Sequence, residues 1–448
     1  MSLFRAYDIR GVYDKDLTEE VAEKIGKAFG TVIGSGTVSV GCDVRLSSPT
    51  LKDALIRGIL SAGVNVEDVG TVSTPLLYFS IYHYGLDGGA MITGSHNPPE
   101  YNGFKLCKGK NALYGEQIQE LRKIIERGKY RKCKGKLKQR DVEGDYLEYV
   151  GERIKPGKKL KVVIDAGNGT ASITAPTLFR TLGCEVIELY CKPDGNFPNH
   201  HPDPTVDGNL GDLIAKVRKE NADLGVAYDG DGDRAGFVDD RGSIVRGDQA
   251  MIVFSKDILS RHKKAKIIFE VKCSKALPEE IEKAGGVPIM YRTGHSFIKK
   301  KIRSEKALLA GEMSGHFFFA DNYYGYDDAI FASARMAEIL SKSGESFSDM
   351  VERMPHYYST PEIRVDCPDD LKFDIVEEVT REFQKDHNVI TVDGARINFK
   401  GGWGLIRASN TQPALILRFE ADTPEKLEKI RKTVEDTLSA ALKKRGRT

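Results

Sequence analysis

The chain predicts an α/β fold: three similar mixed α/β domains followed by a C-terminal α+β domain. Two observations carry this. Short apolar runs alternate with helical patterns over most of the chain, as in parallel strands covered by helices on both faces. The same local plan also occurs three times, as a strand ending in an acidic residue and, further on, a second strand running into a polar loop. The opening strands run into Asp43, Asp165 and Glu270, and the later ones into Ser95, Asp229 and Glu312. Their separations, 52, 64 and 42 positions, vary too much for a solenoid repeat and suit three domains of one plan. Open α/β sheets bind ligands at the carboxyl ends of such strands.

Taken in order, residues 17–33 place Val21, Ile25, Ala28, Phe29 and Val32 on one helical face. Residues 37–41 read as a strand whose end is left by Cys42-Asp43-Val44-Arg45. Ser48 is the expected N-cap, and Pro49 the first residue, of a helix carrying Leu51, Leu55, Ile59 and Leu60 and stopping at Gly63. A strand follows at 64–69, a helix starts at Thr74-Pro75, and Gly89-Ala90-Met91-Ile92 closes a strand before Ser95. Residues 160–164 with Ala227-Tyr228, then 265–269 with 308–310, are the matching strands of the second and third units. Residues 155–159 read as a linker, 242–249 lead from a hairpin into the helix opening the third unit, and 341–355 read as a linker to the fourth. There the pattern changes: a strand at 362–365, a helix at 369–385, a hairpin turning at Asp393-Gly394, two strands and a closing helix from Pro424. The expected domains are 1–154, 155–250, 251–354 and 355–448.

Composition bounds the function. With 40% apolar and 29% charged residues over 448 positions, the chain can fill several cores. A formal charge of +2 argues against a broad nucleic-acid-binding face, so an anionic substrate must be met by local cations. The seven cysteines (42, 107, 133, 184, 191, 273 and 367) are scattered, with no CxxC pair, which points to a reducing compartment without a disulfide framework. Met1-Ser2-Leu3-Phe4-Arg5 lacks the apolar core of a signal peptide, and no apolar run approaches the roughly 20 residues needed to cross a bilayer. A cytoplasmic protein is expected, with no membrane partner; monomer and homo-oligomer both stay open.

Two stretches stand out chemically. In Thr93-Gly94-Ser95-His96-Asn97-Pro98 a serine sits on a turn that Pro98 and Pro99 keep out of a helix, where its hydroxyl can act as a nucleophile or carry a phosphoryl group. In Asp229-Gly230-Asp231-Gly232-Asp233-Arg234 three carboxylates alternate with glycines, a pattern able to hold a hard divalent cation. An EF-hand calcium loop needs glycine at its sixth position, where this chain has Arg234, and strand-like flanks also oppose it. Magnesium beside a phosphate suits the pattern better, since Mg²⁺ takes few protein oxygens and readily shares a phosphate oxygen.

Four further stretches admit both structural and functional readings. Arg407-Ala408-Ser409-Asn410-Thr411 is a compact anion cradle or a capped turn. Asn102-Gly103-Phe104-Lys105 offers a lysine whose pKa other cations could lower, making it a base, or a surface lysine. Gly311-Glu312-Met313-Ser314-Gly315-His316 either grips two sugar hydroxyls or caps a helix, and Thr293-Gly294-His295-Ser296 starts a helix where an anion could dock. Tyr7-Asp8-Ile9-Arg10-Gly11 places Arg10 near the serine or forms a local ion pair.

Together, and in this order along the whole chain, these motifs closely resemble those of the α-D-phosphohexomutases, in particular the phosphomannomutase/phosphoglucomutase branch. The resemblance implies four domains around one central cleft, each contributing a loop. It implies that Ser95 donates and recovers the phosphoryl group, and that Asp229, Asp231 and Asp233 hold Mg²⁺ against it. His96 would accompany Ser95, while Arg10, Lys105 and His316 would move protons and stabilise charge. Glu312 and Ser314 would bind sugar hydroxyls, with Tyr7, Arg234, Lys272 and His295 also on the substrate. Arg407, Ser409, Asn410 and Thr411 would hold the phosphate that is not reacting. The implied activity interconverts hexose 1-phosphates and 6-phosphates of mannose and glucose through a 1,6-bisphosphate, which also serves as activator. The alternatives are a phosphoglucosamine mutase and a non-catalytic sugar-phosphate-binding regulator.

Overall fold

The computed structural model describes residues 3–4, 8–409 and 413–445. The strands form four sheets; runs of β-branched and aliphatic residues make the centres of the first three, where Val38, Val40, Ile92, Val162, Ile164, Val226, Ile267 and Leu309 are fully buried. The first sheet runs Ile9–Val12, Tyr101–Lys108, Gly88–Ile92, Thr37–Cys42, Asn65–Thr71, Leu137–Gln139, with Asn111–Ala112 beside Tyr101–Lys108. The second runs Ile244–Val245, Ala235–Val238, Leu224–Tyr228, Lys161–Asp165, Glu185–Leu189, and the third Val287–Tyr291, Lys266–Glu270, Leu309–Gly311, Phe317–Phe319.

The repeat read from the sequence is a repeat of topology. In each of these sheets the opening strand lies parallel to the strand that enters the polar loop: Thr37–Cys42 with Gly88–Ile92, Lys161–Asp165 with Leu224–Tyr228, Lys266–Glu270 with Leu309–Gly311. The chain then turns back antiparallel, as Tyr101–Lys108, Ala235–Val238 and Phe317–Phe319. The serine, aspartate and glutamate loops are therefore equivalent connections, each leaving the carboxyl end of a central strand.

The fourth sheet is antiparallel throughout. Tyr358–Ser359 and Ile363–Asp366 pair with Ala414–Ala421, followed by Gly402–Ala408, Ala395–Phe399 and Asn388–Ile390, with Asp393-Gly394 in the last hairpin. Helices Lys372–Phe383 and Pro424–Lys443 supply Ile375, Val379, Val434 and Leu438 to its core.

Three local expectations change. Ser47, not Ser48, precedes the helix Ser48–Ser61, because the Ser48 hydroxyl is taken by Asp43 Oδ1 at 2.5 Å. Residues 341–355 are not a linker: they contain the helix Phe347–Glu352, and Phe347, 1% exposed, enters the core shared by the second and third sheets. Residues 155–159 are tied down, with Gly157 N and Lys158 N donating to Ser341. The helix Glu143–Arg153 just before them sends Tyr146 and Val150 into that same core. Among the described residues no helix is long and apolar enough to cross a membrane.

Candidate active site

The serine loop and the aspartate loop meet. Ser95 Oγ donates to Asp229 Oδ2 at 2.9 Å, across 134 positions of sequence, and lies 3.1 Å from His96 Nδ1. Ser95 is 3% exposed and has φ +50°, a left-handed conformation that a non-glycine residue holds only where its surroundings impose it. The loops pack backbone against backbone: a Cβ on Gly230 would sit 2.4 Å from the Ser95 carbonyl oxygen, so only glycine fits there.

Asp229, Asp231 and Asp233 are all fully buried, and each offers an oxygen within 4.8 Å of the others. Three carboxylates so close cannot all keep their charge without cations. Burial, then the neighbouring Asp231 and Asp233, pushes the Asp229 carboxyl well above its usual range. Asp233 goes well below it: burial opposes this, but Lys105 and His316 outweigh it. Lys105 Nζ reaches Asp231 Oδ2 at 2.6 Å and Asp233 Oδ2 at 2.5 Å. Burial is the largest influence on that ammonium and would lower its pKa, yet the three aspartates together raise it instead. Lys105 is thus a held cation here rather than the lysine of lowered pKa that the sequence suggested.

The donor set fits a hard divalent cation. Asp231 Oδ1 is buried with no hydrogen-bond partner, while Oδ2 accepts from Thr74 Oγ1 at 2.5 Å. An all-oxygen set with an unpartnered lone pair beside a serine hydroxyl suits Mg²⁺, which takes a few protein oxygens and shares the rest of its shell.

The glutamate loop closes the third side. His316 lies between carboxylates, Nδ1 at 2.8 Å from Glu312 Oε2 and Nε2 at 3.3 Å from Asp233 Oδ1. Burial works against its protonation, but Asp233 and Glu312 prevail and raise its pKa to about 9. Glu312, held by His316 and by the Gly294 N–H at 2.6 Å, falls to about 2 despite burial. Ser314 Oγ is 3.0 Å from His316 Nδ1. His295 stacks on His316 at 5.6 Å, and burial and Lys299 lower its pKa. Arg234 is half-buried, 4.0 Å from Asp229 Oδ2. His96 is driven well below the usual histidine range by burial, then by Arg234 and Arg10, so its ring is neutral. Arg10 satisfies both sequence readings, donating to Asn97 Oδ1 in the serine loop at 2.7 Å and pairing with Asp8 at 2.6 Å.

A second group lies where the third unit meets the fourth. Lys272 Nζ is 3.1 Å from Glu362 and 3.5 Å from Glu270. Glu270 in turn accepts from Thr293 Oγ1 and Met313 N, which ties Lys272 to the glutamate loop. Arg407 Nε donates to Asp393 Oδ2 at 2.9 Å, and the same oxygen accepts from Thr293 N. Lys372 Nζ donates to the Ser409 carbonyl at 2.5 Å. Tyr7, Asn410 and Thr411 lie outside the described residues.

Sequence reasoning missed Arg45, whose guanidinium underlies the serine loop, and Asp327, which holds His295 Nδ1 at 3.1 Å and Lys299 Nζ at 2.8 Å. Arg45 was visible as the cation two positions after the first strand-end acid; Asp327 lies in no motif.

A buried serine hydroxyl on a strand-end loop, a buried triad of carboxylates and surrounding cations suit an enzyme of phosphoryl transfer. The four "Phosphoglucomutase/phosphomannomutase" family models match in order: alpha/beta/alpha domain I over residues 1–132, domain II over 144–242, domain III over 246–358 and the C-terminal domain over 362–437. The phosphomannomutase/phosphoglucomutase of Pseudomonas aeruginosa is 49% identical, over 98% of this chain and 96% of that protein. The phosphoglucomutase of Neisseria gonorrhoeae is 44% identical, over 96% of this chain and 95% of that one. A solved phosphoglucomutase/phosphomannomutase family protein of Burkholderia thailandensis superposes with TM-score 0.93 at 43% identity, covering 98% and 97% of the two chains. The chain belongs to this family, the α-D-phosphohexomutases, and interconverts hexose 1-phosphates and hexose 6-phosphates.

Proposed function

We propose that the hexose phosphates are those of glucose and mannose, and that the phosphoryl group travels on Ser95. The observation that carries this reading is the 2.9 Å contact between Ser95 Oγ and Asp229 inside the carboxylate triad. A phosphoryl group on Ser95 would lie beside Asp229, Asp231 and Asp233, which would hold Mg²⁺ there. The ion would supply neutralisation of charge developing on the transferred oxygens.

The chain's own residues do the rest. Lys105 and Arg10 bring positive charge to the two sides of the serine loop, and His316, protonated between Glu312 and Asp233, is placed to give or take a proton at a sugar hydroxyl. Glu312 and Ser314 grip the C3 and C4 hydroxyls, and a site that reads only those leaves C2 unread, so glucose and mannose are both accepted. Arg407 and Ser409 receive the phosphate that is not reacting. After the first transfer the sugar is a 1,6-bisphosphate; it turns end for end, and its other phosphoryl group returns to Ser95. Added hexose 1,6-bisphosphate activates by charging unphosphorylated protein.

Ser95→Ala tests this. The variant should lose the acid-stable phosphate and nearly all turnover of glucose 1-phosphate and mannose 1-phosphate in coupled assays. Turnover at the native rate excludes a phosphoserine mechanism.

A further inference from the structure

Beneath the serine loop lies an arginine that touches neither Ser95 Oγ nor any carboxylate of the triad. Arg45 is fully buried, and all five of its guanidinium N–H bonds are used. Nη2 donates to the carbonyl oxygens of Ser95 at 2.7 Å and Asn97 at 2.6 Å. Nη1 donates to those of Pro98 at 2.5 Å and Tyr101 at 2.9 Å, and Nε to Asp43 Oδ2 at 3.2 Å. The Asp43 carboxylate in turn accepts from the Gly94 and Arg45 amides and the Ser48 hydroxyl. One planar side chain thus fixes four carbonyls of the loop that presents the serine, including that of Ser95 itself at φ +50°.

The other face of the guanidinium belongs to the second unit. The Phe197 ring lies 5.1 Å from Arg45 Cζ, and Phe197 also takes a left-handed φ of +49°. Gly195 packs so closely that a Cβ there would sit 2.8 Å from Arg45 Cα. On the near side, a Cβ on Gly94 would sit 2.5 Å from the guanidinium. Arg45 is therefore clamped between the serine loop of the first unit and a loop of the unit that carries the three aspartates.

We propose that Arg45 is the positioning residue that sets Ser95 against the metal-binding aspartates, by holding the serine loop's carbonyls in a five-bond fork braced by Phe197. Its role is geometric. A lysine keeps the charge opposite Asp43 but has three donors on one nitrogen and cannot reach four carbonyls in a plane. Phosphoryl transfer depends on alignment, so a displaced serine loses rate while the substrate-gripping residues, all on other loops, keep their affinity.

The inference rests on Ser95 as phosphoryl carrier, and the experiment separates the two. Native protein, Arg45→Lys, Arg45→Met and Phe197→Leu are charged with ³²P-labelled glucose 1,6-bisphosphate, and steady-state turnover of glucose 1-phosphate and single-turnover transfer are measured. Both Arg45 variants should lose about 100-fold in kcat and in the transfer rate, with KM within about threefold of native and no rescue by lysine. Phe197→Leu, which leaves all five bonds in place, should lose about three- to tenfold in kcat at unchanged KM. A labelled Arg45→Lys transferring at the native rate, or a loss appearing in KM alone, overturns the inference. Where the Arg45 variants do not fold, native kcat in Phe197→Leu overturns it. Failure of the native protein to take label at Ser95 refutes the phosphoserine reading instead.

Discussion

Replacing Lys105 by methionine keeps the side chain's bulk and removes its charge, which isolates what that charge does. Its side chain is 9% exposed and pairs with Asp231 and Asp233, themselves 0% and 1% exposed. Removing one partner of a buried pair costs about 3–5 kcal/mol, because the other charge is left uncompensated. His316 still faces Asp233 and Asp229 can hold a proton, so the lower end, about 3 kcal/mol, applies in metal-free buffer. At about 2–4 °C per kcal/mol for a unit of this size, the melting transition should fall by about 6–12 °C. The loss should depend on metal. In native protein a cation entering between Asp231 and Asp233 must displace the ammonium; in Lys105→Met it meets unopposed carboxylates. Calorimetry with EDTA and with Mg²⁺ should therefore show a larger Mg²⁺-induced rise in the variant than in native protein, recovering half or more of the deficit. Turnover at saturating Mg²⁺ should still drop about 10²- to 10³-fold, the usual loss when a group that stabilises transition-state charge is removed. An equal deficit with and without Mg²⁺ would show that the lysine only packs, and that the three aspartates are not the ion's site.

His316 gives a prediction in protons. With its pKa at about 9, the metal-free protein holds nearly one proton on this ring at pH 8, and neutralising Asp233 with Mg²⁺ should release most of it; calorimetric titration in buffers of different ionisation enthalpy counts the protons, and His316→Asn releasing as many as native protein would refute the assignment. The sign for stability follows: a raised histidine pKa stabilises the metal-free fold fully below about pH 6.5 and loses that contribution, up to about 3 kcal/mol, as pH climbs through 9. Arg407→Ala should weaken glucose 1-phosphate binding about 10- to 100-fold with less effect on the single-turnover transfer rate, and unchanged affinity would remove the fourth unit from phosphate binding. Trp403 is buried at the junction of the third and fourth units, stacked on Arg396 at 3.7 Å, so its fluorescence should respond to glucose 1-phosphate if the fourth unit closes over the sugar; a response surviving intact in Arg407→Ala would break that link.

What the sequence made legible follows from where each piece of chemistry resides. The triple repeat could be read because strand, acid and polar loop recur in chain order, and the serine and aspartate loops because each packs several functional groups into six residues. Their meeting could not be read from spacing, since 134 positions separate two atoms 2.9 Å apart; only the resemblance supplied it. The ionisation of Lys105 was misjudged for the same reason. Its neighbours in sequence are Phe104 and Leu106, whereas its partners, Asp231 and Asp233, come from another sheet. Residues 341–355 look like a linker because polar residues and Gly344 open the stretch and the helically spaced apolar set Phe347, Met350, Val351 and Met354 spans only two turns, although Phe347 and Met354 enter the core. Arg45 is the sharpest case. Four of its five partners are main-chain carbonyls, which every sequence has, so nothing in the residue types around it announces the fork. Side chains that act on other side chains leave a pattern of complementary letters; a side chain that acts on backbone leaves none. The geometry of a phosphoryl-transfer site depends on both kinds, and the second is found only when the carbonyls of the loop are followed to their donors.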